Sequence, residues 1–194
     1  KDTLYMVEEY IKPGVTTLDL DRMAEEFILS NKAKPGFKGL YDYPSTLCTS
    51  VDDEVVHGLP NAIPLQEGQI LSVDVGSIYD GFYGDHAKTF CVGSVNSEKK
   101  HLVEITKECL YEGIKHAKVG NTIGDIGHAI QNIAEKNGYG VVRDLVGHGI
   151  GRKLHEEPQV PNFGLKGKGV LIQPGLCIAI EPMINCGSYE VYTK

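Results

Sequence analysis

Apolar and polar positions along the 194 residues follow two different periods. Residues 1–12 carry a short helical spacing that Pro13-Gly14 stops. Leu20, Met23, Ala24, Phe27 and Ile28 then form a helical stripe. It starts at Thr16, which makes a capping box with Asp19, and runs to Asn31. Leu102, Ile105, Cys109, Leu110 and Ile114 predict one face of a helix over 97–118. Thr122 and Asp125 form a second capping box, for a helix through Asn137 that Gly138 closes. "STLCTSV", "QILSVDVGS", "FYGDHAKTFCVG" and "LCIAIEPM" read instead as strands, while "KPGFKGLYDYP" reads as loop and "LPNAIPLQEG" as turn.

The strands carry acids where a buried face is expected. Asp80-Gly81 between β-like flanks is a two-residue hairpin signal. With that turn, Asp74 lies opposite Ala87 and Asp85 opposite Gly76, so both carboxylates share one face as diagonal neighbours about 7–8 Å apart at Cα. Like charges that close repel unless a cation lies between them. An edge hairpin with its polar face in water accounts for the pattern equally well.

"GVTTLDL" at 14–20 and "GNTIGDI" at 120–126 form a weak repeat at an offset of 106. Two unrelated capping boxes explain it as readily as duplication does. Under duplication, the counterpart of Asp74 falls one residue from Glu181, in a strand-like run where Cys177 and Ala179 leave room beside the carboxylate.

Composition narrows the setting. Hydrophobic residues make up 41%, charged residues 23%, and the net charge is −7, which argues against nucleic acid as a partner. No apolar run reaches the roughly 20 residues of a membrane helix. Five scattered cysteines, Cys48, Cys91, Cys109, Cys177 and Cys186, read as free thiols, with cytoplasm as the expected location.

His57 in "VVHGLP", His148 in "VGHGIG" and Glu181 before Pro182 are each, singly, better explained as core or strand-end residues. Together Asp74, Asp85, His148 and Glu181 form an oxygen-rich set with one imidazole. That set suits Mn, Fe, Co or Zn in a hydrolytic site, and carboxylates able to bridge favour two ions.

"DVG" at 74–76, "GD" at 84–85, "GHGIGR", "IEPM", "VVHGLP" and "LHEEP" stand in an order that closely resembles type I methionine aminopeptidases, within the wider pita-bread metallopeptidases. The resemblance implies an α+β fold of two pseudo-symmetric halves around a curved, mostly antiparallel sheet. This is expected as a single catalytic domain, 1–194, with halves of approximately 1–95 and 96–194 and the second incomplete. It implies removal of the initiator methionine from nascent chains and peptides with a small second residue; the protein is expected to act as a monomer, and association with the ribosome is left open. Asp74 would bind one ion, Asp85 would bridge two, and His148 and Glu181 would bind the other. Glu181 would also carry a proton, His57 and His155 would contact the scissile peptide, and Tyr43 and Cys48 would line the methionine pocket. Family members carry a fifth ligand, a Glu on a strand after the I-E-P motif. The chain stops before such a strand, which reads as a C-terminal truncation, and Glu190 is not expected to replace it. Leu154 stands where many relatives have an aromatic residue, and Asp52 where many have Asn. A proline-specific aminopeptidase or prolidase of the same fold, and a non-catalytic peptide-binding module, remain as alternatives.

Overall fold

The computed structural model describes residues 1–193. They form two compact units. The first holds Lys1–Lys99 with Arg152–Leu154, and the second holds Lys100–Gly151 with the residues from His155 on.

In the first unit, α1 (Asp2–Glu8) and α2 (Thr17–Ser30) precede β1 (Lys34–Pro35), β2 (Leu47–Val51), β3 (Ile70–Tyr79) and β4 (Phe82–Cys91). Thr16 caps α2 by accepting the Asp19 amide at 3.1 Å, and its hydroxyl donates to the Asp19 carboxylate at 2.6 Å. Asp80 and Gly81 take φ of 50° and 78°, the left-handed pair that a tight hairpin turn demands. The register is the expected one, with Tyr79 opposite Phe82, Asp74 opposite Ala87 and Gly76 opposite Asp85. β3 is the central strand, with β4 along one edge and β2 and β1 along the other, all antiparallel.

Alternation along β3 sorts its two faces. Leu71, Val73 and Val75 enter a core with Leu4, Val7, Leu20, Ala24, Ile28, Leu47 and Phe90. Ser72, Asp74 and Gly76 therefore take the opposite face, where Cys48 pairs with Asp74 across β2.

The second unit contains α3 (Ser97–His116) from Lys100 on, α4 (Ile123–Lys136), β5 (Gly140–Val141), β6 (Gly147–Gly149), β7 (Glu156–Val160) and β8 (Ile184–Asn185). Ile105, Cys109, Ile123, Ile126, Ile130, Ala134, Val141, Val160 and Ile172 make its core. Thr122 donates through its amide and hydroxyl to the Asp125 carboxylate at 2.8 and 2.9 Å, which closes the second capping box. β5 pairs with β8 and β6 with β7, again antiparallel.

Four expectations need correction. "LCIAIEPM" is extended but is not a regular strand; its hydrogen bonds to Val142, His148 and Ile150 are too sparse to make a ladder. Leu176, Ile178 and Ile180 nevertheless pack on the second core, as their alternation predicts. Lys34–Pro35, read as loop, pairs with Ile78 and Ser77 of β3. Ile114 is exposed, because the buried side of α3 runs through Ile105, Cys109 and Gly113 instead. His57 is not a strand residue; it stands in a turn beyond β2 with φ of 61°. Among the described residues, no helix is long and apolar enough to cross a membrane.

Candidate active site

Asp74, Asp85, Tyr43, Cys48 and His57 belong to the first unit, and His148, His155 and Glu181 to the second. In the first, Asp74 and Asp85 stand on the face of the hairpin opposite the core, as the register requires. Ala87 and Gly76, the residues across from them, are small, and the Phe37 ring packs on Gly76, where a Cβ would lie 2.5 Å from it.

Tyr43 donates its hydroxyl to Leu47 O at 2.8 Å, with Gly58 O at 3.3 Å, and the hydroxyl acts electrostatically on the Cys48 thiol. Burial raises the Tyr43 hydroxyl well above its ordinary value. Burial likewise pushes the Cys48 thiol up to about 12; the Tyr43 hydroxyl opposes this, and the Asp74 and Asp85 carboxylates add to it. Cys48 is therefore a neutral thiol at pH 7 in the metal-free protein.

His57 holds a backbone conformation that costs a non-glycine residue on the order of 1 kcal/mol. Gly58 keeps it there. Its amide donates to Ser50 Oγ at 3.1 Å, its carbonyl accepts from Thr49 N at 2.8 Å, and a Cβ would lie 2.3 Å from Thr49 O. The turn is clamped to β2, and the exposed imidazole is presented from a fixed base.

Asp21 escaped the sequence reading. It lies on the buried side of α2, and its Oδ1 accepts from Thr46 N at 2.9 Å and Leu47 N at 2.7 Å, anchoring the start of β2 one residue before Cys48. An acid within the apolar stripe, one residue from Leu20 and three from Ala24, was the available signal. Burial raises its carboxyl pKa, while the two amides pull it down. A raised folded value means that stability present below the unfolded pKa of about 4 is lost as pH rises through the folded one. Asp21→Asn keeps an oxygen for both amides and removes that loss. The unfolding midpoint of the variant minus that of the parent is expected to increase between about pH 4 and pH 7. A difference independent of pH would show that the carboxylate carries no burial penalty.

In the second unit, His148 on β6 is buried, and its Nδ1 bonds Gly149 O at 2.8 Å. A carbonyl accepts only from a donor, so the proton is on Nδ1. Nε2 lies 3.2 Å from Glu181 Oε1. The His155 ring stands edge-on to His148, with centroids 4.5 Å apart, and is exposed where His148 is not. An imidazole locked through one nitrogen, with a carboxylate beside the other, fits a divalent cation. So does a hairpin face that carries two carboxylates. Glu190 instead sits in an exposed turn, bonded to Ser188.

Comparison with known proteins agrees. Residues 1–192 match the model of metallopeptidase family M24. A Clostridium perfringens protein named methionine aminopeptidase is 50% identical over 192 residues, covering 99% of this chain and 77% of that one. The chain belongs to the M24 metallopeptidases, in their methionine aminopeptidase branch. It is by family a metal-dependent aminopeptidase. The crystal structure of methionine aminopeptidase from Thermotoga maritima superposes with a TM-score of 0.97 at 45% identity, over 100% of this chain and 78% of that one. A prolidase from Pyrococcus horikoshii is more distant, with a TM-score of 0.81 at 25% identity, over 93% of this chain and 50% of that one. The fold is thus the pita-bread fold, shared by both branches, and the sequence sides with the methionine aminopeptidases.

Proposed function

We propose that the chain removes the N-terminal methionine from peptides and nascent chains whose second residue is small. In this reading Asp74, Asp85, His148 and Glu181 together hold two divalent ions drawn from Mn, Fe, Co and Zn. The observation that carries it is the His148–Glu181 pair, with Nδ1 of the imidazole engaged and Nε2 3.2 Å from a carboxylate oxygen. When bound, the ions would supply positive charge able to polarise a carbonyl and lower the pKa of water.

The side chains divide the remaining work. Glu181 accepts the proton of the attacking water and returns it to the departing amine as the peptide C–N bond breaks and a C–O bond forms. His155 and His57 donate to the carbonyl oxygen as it becomes negative. The Tyr43 ring and the neutral Cys48 thiol hold the methionine thioether, a soft group that favours contact with rings and sulfur. The free cysteines fit a reducing compartment, the cytoplasm, where new chains emerge.

Release of methionine from Met-Ala-Ser, with Ala-Pro as the competing substrate, tests the reading. Methionine release with Mn or Co, lost on chelation and regained on adding the metal, is expected. Preference for Ala-Pro would move the chain to the proline-specific branch, and metal binding without any cleavage would make it a binding module.

A further inference from the structure

Asn162 is fully buried, with no exposed surface, and lies on the segment that follows β7. Its Nδ2 donates to the backbone carbonyl of Glu181 at 2.7 Å. Its Oδ1 is buried with no hydrogen-bond partner. A buried amide left half satisfied costs about 1–3 kcal/mol, so its presence calls for a reason.

The hydrogen bonds along 177–183 supply one. Ile150 N donates to Cys177 O at 3.2 Å, and Val142 N donates to Met183 O at 3.0 Å. Ala179 is fixed through its own amide, bonded to His148 O at 2.7 Å. At 181 the donor is a side chain, the Asn162 amide, in the place where a neighbouring strand would offer a backbone N–H. Pro182 follows and has no N–H of its own, so the Glu181–Pro182 link has one fewer anchor than ordinary backbone. The segment bearing Asn162 is itself held rigidly. A Cβ at Gly127 of α4 would lie 2.6 Å from Pro161 O and 2.4 Å from Phe163 O, so the backbone on both sides of Asn162 sits directly on the helix.

We propose that Asn162 is a positioning residue for Glu181. It fixes the Glu181 peptide against α4, and so sets the direction of a carboxylate that must face the His148 imidazole. This rests on the reading of Glu181 as a metal ligand and proton carrier. A small rotation of the 181–182 peptide would swing the carboxylate away from Nε2 without disturbing the core.

The test compares Asn162→Leu, which removes donor and orphaned oxygen at similar volume, with Asn162→Ser, too short to reach the carbonyl. Co²⁺ is the probe, followed by calorimetry and by its visible ligand-field spectrum. Both variants are expected to bind Co²⁺ about 10–100-fold more weakly, the usual range for losing an outer partner of a metal ligand. An altered Co²⁺ spectrum and a lower kcat at nearly constant KM for Met-Ala-Ser are also expected. Co²⁺ affinity, spectrum and kcat all within about twofold of the parent, in folded variants, would overturn the assignment. If neither variant folds, the Asn162 side-chain amide resonance of the unmodified chain decides: a shift on adding Zn²⁺ supports it, and indifference to the ion overturns it. Glu181→Gln is measured alongside. Unchanged Co²⁺ binding in Glu181→Gln would remove the ligand reading itself, whereas loss there with unchanged Asn162 variants would remove only the positioning role.

Discussion

Asp85→Asn is expected to lower kcat/KM for methionyl peptides by at least about 10³ while leaving the metal-free protein as stable as its parent, or more so. Asp85 and Asp74 share one face of the β3–β4 hairpin as diagonal neighbours. Without a cation their like charges oppose folding, so removing one is neutral or favourable in the metal-free state. With a cation the balance reverses. Asparagine keeps the shape and loses the charge, and a neutral amide is a poor partner for a hard divalent ion. If metal charge supplies several kcal/mol of transition-state stabilisation, a loss of about 4 kcal/mol corresponds to about 10³ in rate. Two readouts move in opposite directions. The unfolding midpoint in chelator is expected to hold or rise, and the further increase on adding Co²⁺ is expected to shrink. Wild-type Co²⁺ affinity together with a wild-type rate would remove Asp85 from the metal site.

His155→Ala is expected to keep its metal and lose about 10²–10³ in kcat. That is the usual cost of removing one donor aimed at developing negative charge. The His148 and His155 imidazoles differ in environment. His148 is buried, tied to Gly149 O and beside Glu181, whereas His155 stands edge-on to it with its ring exposed. A ligand needs the first setting, and a group that must meet an incoming peptide needs the second. Co²⁺ titration and steady-state kinetics on the same preparation separate the roles. Metal lost together with activity would make His155 a ligand, and an undiminished kcat would leave it without a role in the reaction.

The hairpin was legible to the residue. Asp80-Gly81 fixes the turn and the period of two fixes the faces, so the shared face of Asp74 and Asp85 follows from local rules alone. The capping boxes at Thr16 and Thr122 were equally legible, because a cap involves only residues three apart. Glu181 was harder. Its apolar neighbours alternate as in a strand and do pack on a core, yet the segment is extended without a ladder. Side-chain alternation reports which face is buried, and it says nothing about whether backbone partners stand alongside.

His57 shows the same limit from another side. An apolar run ending in histidine reads as a strand end, but the left-handed backbone at 57 comes from how closely Gly58 approaches Thr49. Asp21 and Asn162 were passed over because their partners, Thr46, Leu47 and the Glu181 carbonyl, lie between 19 and 26 residues away. No spacing rule reaches that far.

What the sequence determined by itself was the set of elements, the hairpin register and the order of chemical motifs, since each depends on residues within a few positions of one another. The tertiary structure alone decided which nitrogen of His148 bonds Gly149 O and what the other one faces. It also decided how the His57 turn is clamped and which side chain holds the Glu181 peptide. Those outcomes depend on backbone groups distant in sequence meeting within about 3 Å, where hydrogen-bond energy falls off within a few tenths of an ångström, and only the folded packing sets such distances.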